Sequence, residues 1–258
     1  MSRIARRMCC AALLIAALAA PSVASADNYV ALGDSYSSGV GTNSYSLSSS
    51  CLRGTKAYPY LLSQQRPNTS LNFVACSGAT TDTLMASQIS AVNSSTNIVT
   101  VTIGGNDAGF ASTVTACTLG SCTSQIAAAN AYIQNTLPGK LNTVYNAIKT
   151  QASPTAKVVV LGYPRLFSSS SCFGTFGLSA GERTSMNATA DLLDATTAAR
   201  AAAYGFTYKS AIAAFTGHAV CSSEWLNGLN IFNTTESFHP NTTGHSSGYL
   251  PLVRQVTG

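Results

Sequence analysis

Ser35 follows a run that reads as a buried strand. In "NYVALGDSYSSG" (28–39) the apolar stretch Tyr29-Val30-Ala31-Leu32 stops at Gly33-Asp34, and small polar residues take over. A serine hydroxyl presented there can attack an acyl carbon only if a base lies beside it to take its proton. The chain has three histidines, His218, His239 and His245. His239 sits in "TTESFHPNTTGH" (234–245), where Pro240 ends an extended segment and a helix is predicted beyond it. That places an imidazole on a late loop able to fold back over the first strand. The oxyanion formed on attack needs hydrogen-bond donors, and the Ser35 N–H, the Gly78 N–H and the Asn106 side-chain amide are the right chemical types. Glycine at 78, 104 and 105 allows backbone to come close to a substrate. Acyl transfer through a serine is the chemistry this set suits.

The neighbouring polar residues read as structural. Asp34 is expected to bond loop backbone rather than act as a base, and Asp107 to hold its own loop. His218 follows Thr216-Gly217 near Cys221 and reads as a loop residue. His245 lies at helical spacing after Pro240, as a helix-surface or packing histidine. Trp225, the only tryptophan, reads as a loop anchor rather than part of an acyl site.

These side chains need a scaffold, and the apolar periodicity supplies one. Strands are predicted at 29–32, 71–76, 97–104 and 156–164, with a weaker one at 206–210. The central ones are apolar at nearly every position, as in parallel strands covered on both faces. Helices are predicted near 55–66, 80–92, 124–152, 179–204 and 242–255. Ser153-Pro154 ends the third, and Ser179 with Glu182 three residues on forms a capping box for the fourth. The alternation gives an α/β sandwich. In such sheets function gathers at the strand carboxyl ends, and Ser35, Gly78 and Asn106 each follow a strand. Loops at 42–54 and 165–178 read as insertions on which pocket depth depends. No repeat or linker divides the chain.

"MSRIARR", then the short apolar run "CCAALLIAALAA", then "SVASA" ending on Ala26, is the pattern of an export leader too short to span a bilayer. Cys9 and Cys10 stand at the front of that run, which argues against a lipid anchor. Residues 27–258 are then expected to form one domain. Taking Arg3, Arg6 and Arg7 from the 14 basic side chains leaves 11 against 9 acidic ones, a net charge of +2 with no basic stripe. Nucleic acid is not an expected partner. Cys51, Cys76, Cys117, Cys122, Cys172 and Cys221 remain, an even set that suits an oxidising compartment. Pairing of sequential neighbours is favoured: Cys51–Cys76, Cys117–Cys122 and Cys172–Cys221. No metal or organic cofactor is expected, because only Cys117 and Cys122 are closely spaced and no histidine follows at zinc-site spacing.

"GDSYSSG", "CSGAT", "GGND" and "SFHP", in that order, resemble the four blocks of the SGNH, or GDSL-type, hydrolases. The likeness runs from residue 29 to about 250. It implies a flavodoxin-like three-layer α/β/α sandwich with a mostly parallel five-stranded sheet. It also implies a nucleophile at Ser35, a base at His239, and an oxyanion hole from Ser35, Gly78 and Asn106. Export and six cysteines are similar to the secreted actinomycete lipases, esterases and phospholipases A of this family. Two departures stand out. Tyr36 replaces the leucine of the family name, a change expected to alter packing more than chemistry. Glu236 stands where the block usually has aspartate. Some secreted relatives hold the histidine by a main-chain carbonyl two residues earlier, here Ser237. That arrangement is favoured, with Glu236 a nearby or solvated carboxylate. The reading is a secreted monomeric esterase acting on lipid or other acyl esters, without stable membrane insertion but with transient contact at a lipid interface. A polysaccharide acetyl esterase is the rival within enzymes, and a non-catalytic binding protein on the same scaffold the rival outside them.

Overall fold

The computed structural model describes residues 26–258. The expected leader, 1–26, lies outside the described residues except for Ala26. Five strands form one sheet: β1 (Asp27–Gly33), β2 (Thr69–Phe73), β3 (Ile98–Thr102), β4 (Lys157–Leu161) and β5 (Thr207–Lys209), in the order β2-β1-β3-β4-β5. Every neighbouring pair is parallel, so the sheet is wholly rather than mostly parallel. β3, Ile98-Val99-Thr100-Val101-Thr102, is buried at all five positions, the signature of a central strand covered on both faces. β2 lies at the edge and alternates between half-buried and exposed residues.

From β1 the chain crosses to β2 on one side and returns past β1 to β3 on the other. The carboxyl ends of β1 and β3 therefore flank a switch in winding direction, where a crevice opens outside the sheet. α2 (Tyr58–Gln64) and α9 (Leu250–Thr257) pack on one face, and α3 (Thr81–Ser87), α6 (Leu137–Gln151) and α7 (Ala180–Ala203) form the other layer. α5 (Thr123–Asn135) leans on α6 and α7 and carries α4 (Phe110–Leu119) above it.

Several boundaries differ from expectation. β2 ends at Phe73 instead of Cys76, because the Val74 and Ala75 N–H groups both donate to the Ala31 carbonyl (3.0 Å each) and the chain bulges away. The single helix expected at 124–152 is two, α5 and α6, which meet at Thr136 with Pro138 in the first turn of α6. Pro59 opens α2 in the same way, and the helix starts at Tyr58 rather than 55. The predicted 242–255 helix contains a π-helical turn, Gly244–Tyr249, which packs on the short helix α8 (Ala211–Ala214) before α9 begins.

The cystines are Cys51–Cys76, Cys117–Cys122 and Cys172–Cys221. The first ties the 42–54 loop to the exit of β2, and the second closes the turn between α4 and α5. Among the described residues no helix is long and apolar enough to cross a membrane.

Candidate active site

Gly33 ends β1 with φ +128°, and a Cβ there would lie 2.5 Å from the Thr102 carbonyl oxygen and 2.6 Å from Ser37 Oγ. Only glycine fits so tight a turn. Its N–H donates to Gln88 Oε1 (2.8 Å) and its carbonyl accepts from Gln88 Nε2 (2.9 Å), so one buried amide clamps both backbone groups. Asp34 then caps the short helix α1 (Ser35–Ser38), its Oδ1 accepting the Tyr36 N–H at 3.0 Å. Ser35 is the first residue of that turn, where a backbone N–H has no intrahelical carbonyl to bond.

Asp34 also reaches a partner invisible in the sequence. Its other oxygen accepts from the Tyr163 hydroxyl, which in turn accepts the Gly105 N–H at 3.1 Å. Burial pushes the Asp34 carboxyl up to about 7, against the pull of these donors. The bridge couples the loop after β1 to the loop after β3. Asn106, next along, donates from Nδ2 to the Ala79 carbonyl at 2.9 Å. Asp107 accepts two bonds from the Thr81 N–H and one from its hydroxyl, pinning the same loop to the start of α3. Gly78 lies beside Asn106 with φ +79° and open space where a Cβ would project. The three strand-end loops are thus cross-braced.

The histidine loop arrives from the far end of the chain. His239 Nε2 lies 2.9 Å from Ser35 Oγ, and Nδ1 lies 2.8 Å from the Ser237 carbonyl oxygen. A carbonyl can only accept, so Nδ1 carries the hydrogen and the Nε2 lone pair faces the serine hydroxyl. Desolvation lowers the His239 pKa to about 4, opposed in part by the Ser237 carbonyl, and the imidazole is neutral at pH 7. Phe238 has φ +60°, an unusual conformation for a bulky residue. It is held by the Tyr36 hydroxyl, which donates to its carbonyl at 2.6 Å, and by its own N–H on the Asn227 carbonyl at 2.9 Å. The Asn227 side chain donates to the Gly41 and Glu236 carbonyls (2.8 and 3.1 Å) and stitches the loop down. Tyr36 therefore does more than pack: it joins the serine turn to the histidine loop.

Glu236 faces away from the imidazole. Its carboxylate is buried rather than solvated, accepting from the Tyr45 hydroxyl and the Asn43 N–H. His218 stacks on Trp225 with ring centroids 3.5 Å apart, and neither lines the cavity that Ser35 lines. His245 is fully buried between α2 and the π turn.

Ser35, Gly78, Asn106 and His239 all line one cavity of about 580 Å³. Its walls are apolar and come mainly from α4, α5 and α7, including Val114, Ile126, Ile133, Met186 and Leu193. The 42–54 loop contributes no wall, and the 165–178 segment contributes only Leu166. Pocket depth is thus set by helices, one of which, α4, the sequence reading missed. Of the helpers, Tyr36, Tyr163, Gln88 and Asn227, only Tyr36 carried a sequence signal, its place in the "GDSY" block.

The model of the GDSL-like lipase/acylhydrolase family matches residues 31–246. The chain belongs to that family. A relative named Lipase 1, from Streptomyces coelicolor, is 50% identical over 237 residues, which cover 89% of this chain and 87% of the relative. The crystal structure of an extracellular lipase from Streptomyces rimosus has 49% identity and a TM-score of 0.85, covering 90% of this chain and 100% of that one. That of phospholipase A1 from Streptomyces albidoflavus has 46% identity and a TM-score of 0.86, with the same coverage. As a GDSL hydrolase this chain is a carboxylic ester hydrolase, and its wholly parallel sheet is the family fold.

Proposed function

We propose that this ester hydrolase cleaves lipid esters by acyl transfer to Ser35. The observation that carries the reading is the Ser35–His239 contact of 2.9 Å in the lining of an apolar cavity of about 580 Å³. Nε2 takes the hydroxyl proton as Oγ bonds to the acyl carbon. The oxyanion is received by the Ser35 and Gly78 N–H groups and the second Nδ2 hydrogen of Asn106. Collapse breaks the ester bond, and the leaving alcohol takes the proton from His239. Water, activated by the same imidazole, then releases the acid. The Ser237 carbonyl orients the ring, so the pair works as a dyad without a side-chain carboxylate.

The cavity is far larger than an acetyl group requires, and its aliphatic walls suit the hydrocarbon of a fatty acid better than a sugar. Relatives named lipase and phospholipase A1 agree with that reading. Residues 1–26 are read as an export leader and 27–258 as the enzyme domain, acting outside the cell. The enzyme is read as a monomer.

Ser35→Ala should abolish hydrolysis of acyl esters from two to eighteen carbons, and an organophosphorus reagent should label the protein once, at Ser35. Activity surviving in the variant would remove Ser35 from its role. Cleavage confined to acetyl esters would replace the lipid reading with the polysaccharide one.

A further inference from the structure

Large apolar side chains rarely stand in water, yet five do so together here. Phe232 is 94% exposed, Leu119 84%, Phe173 and Phe176 65% each, and Ile231 55%. They belong to three turns far apart in sequence that meet in space. Phe173 and Phe176 stack at 6.1 Å. The Leu229 N–H donates to the Gly174 carbonyl at 2.9 Å, which joins their turn to the one carrying Ile231 and Phe232. A Cβ on Gly177 would lie 2.4 Å from the Thr118 carbonyl, so the same turn abuts the end of α4 at Leu119. Thr118, Leu119 and Leu229 line the active-site cavity. The apolar patch therefore rims its mouth.

Two further features bear on what meets this rim. Residues 108–139, 166–181 and 225–235, from which it and much of the cavity wall are built, contain no Asp, Glu, Lys or Arg. A surface designed to meet anionic headgroups carries Lys and Arg, and this one offers none. Its turns are also stapled at their bases: Cys117–Cys122 brackets Leu119, and Cys172, next to Phe173, is bonded to Cys221. Apolar side chains held rigidly outwards lose little freedom on insertion, which favours binding.

We propose that these five side chains form a docking surface that seats the cavity mouth on an electrically neutral lipid surface, such as a phosphatidylcholine bilayer or an oil droplet. Exposed patches of this kind mark interaction sites, and aromatic and aliphatic residues enter the headgroup–acyl boundary without spanning it. An ester leaving the lipid would then pass from one apolar environment to another. The proposal rests on the lipid reading above and adds to it how the substrate is reached.

The test separates docking from chemistry. Sedimentation with phosphatidylcholine vesicles uses the Ser35→Ala protein, so that the lipid stays intact. Phe173→Ser/Phe232→Ser should partition onto the vesicles at least about tenfold less than its parent. In the Ser35 enzyme the same pair of changes should leave hydrolysis of a soluble butyrate ester within about twofold, since neither residue lines the cavity, while slowing fatty-acid release from vesicles at least about tenfold. Phe232→Asp, at the most exposed position, provides a second variant that folding tolerates. Binding should persist at high salt and should not strengthen when anionic lipid is added. Equal partitioning of variants and parent would overturn the proposal, as would binding that requires anionic lipid or occlusion of the patch in a stable dimer. A parent that binds vesicles but releases no fatty acid from any lipid would instead sink the lipid reading and leave the docking surface standing.

Discussion

At the scale of single residues the site is a matter of who holds His239. The Ser237 carbonyl is on Nδ1, and the Glu236 carboxylate is occupied by Tyr45 and Asn43. Glu236→Gln should therefore cost about tenfold or less in kcat, whereas loss of a triad carboxylate costs ~10⁴. Tyr36→Phe should do comparable harm from the other side. It deletes the only side-chain bond that the described residues make to the Phe238 carbonyl, at a residue in a left-handed conformation, and a neutral hydrogen bond of this kind is worth about 1 kcal/mol. Kinetics on a soluble ester should show kcat falling about tenfold with KM unchanged, because the loop misplaces the base without touching substrate. A change in KM alone would mean that Tyr36 shapes the pocket instead. The titration of His239 gives a third expectation. The proposed mechanism needs the neutral imidazole, and burial lowers its pKa to about 4. The acid limb of kcat/KM, which reports the free enzyme, should thus lie well below the ordinary histidine value of about 6.5. A limb near 6.5 would show that water reaches the ring in the free enzyme.

At the scale of elements His245 links α2 to the terminal π turn. Its Nδ1 accepts the Tyr58 N–H at 3.4 Å, its Nε2 has no partner among the described residues, and burial pushes its pKa down to about 3. The native state refuses a proton that the unfolded chain accepts near pH 6.5, so this stability is complete above that pH and is lost as pH falls towards 3. His245→Asn should reduce the fall in unfolding free energy between pH 7.5 and pH 5 by about 2 kcal/mol. Denaturant titrations at the two pH values measure it, and an unchanged fall would mean that His245 titrates normally. How much was legible in the sequence depends on the element. β1, β3 and β4 announce themselves because unbroken aliphatic runs suit only strands covered on both faces. α4 does not: "FASTVTACTL" has three Thr in ten residues, lacks charge, and starts from Gly109 with no side-chain cap. It is a helix because it closes the cavity and is anchored to α5 through Cys117, both tertiary causes. Pro59 and Pro138 do mark helix starts in the sequence, because proline suits the first helical turn. In the site, serine, glycine, asparagine and histidine are legible as chemical types in ordered blocks. Tyr163 and Asn227 are not, since their bonds to Asp34, Gly41 and Glu236 depend on chain segments meeting from 9 to 186 residues away.

At the scale of the whole molecule the three cystines among the described residues close spans of 49, 25 and 5 residues. Chain-entropy reasoning ranks them in that order, with Cys172–Cys221 worth about 2 kcal/mol more than Cys117–Cys122. Paired serine substitutions followed by thermal melting should lower the midpoint most for Cys172/Cys221 and least for Cys117/Cys122. An inverted order would mean that the α4–α5 turn is itself a main support of the native packing. One feature of the fold also governs time. Ser35 and His239 touch although 204 residues separate them, and the histidine arrives only on the final loop. A ribosome extending the chain at ~5–20 residues per second needs on the order of 10 to 40 seconds between the two. On the proposed mechanism, the nucleophile exists through that interval without its base. A producing cell whose own membranes are made of esters thus handles a polypeptide that is chemically mute until its last segment is free to fold.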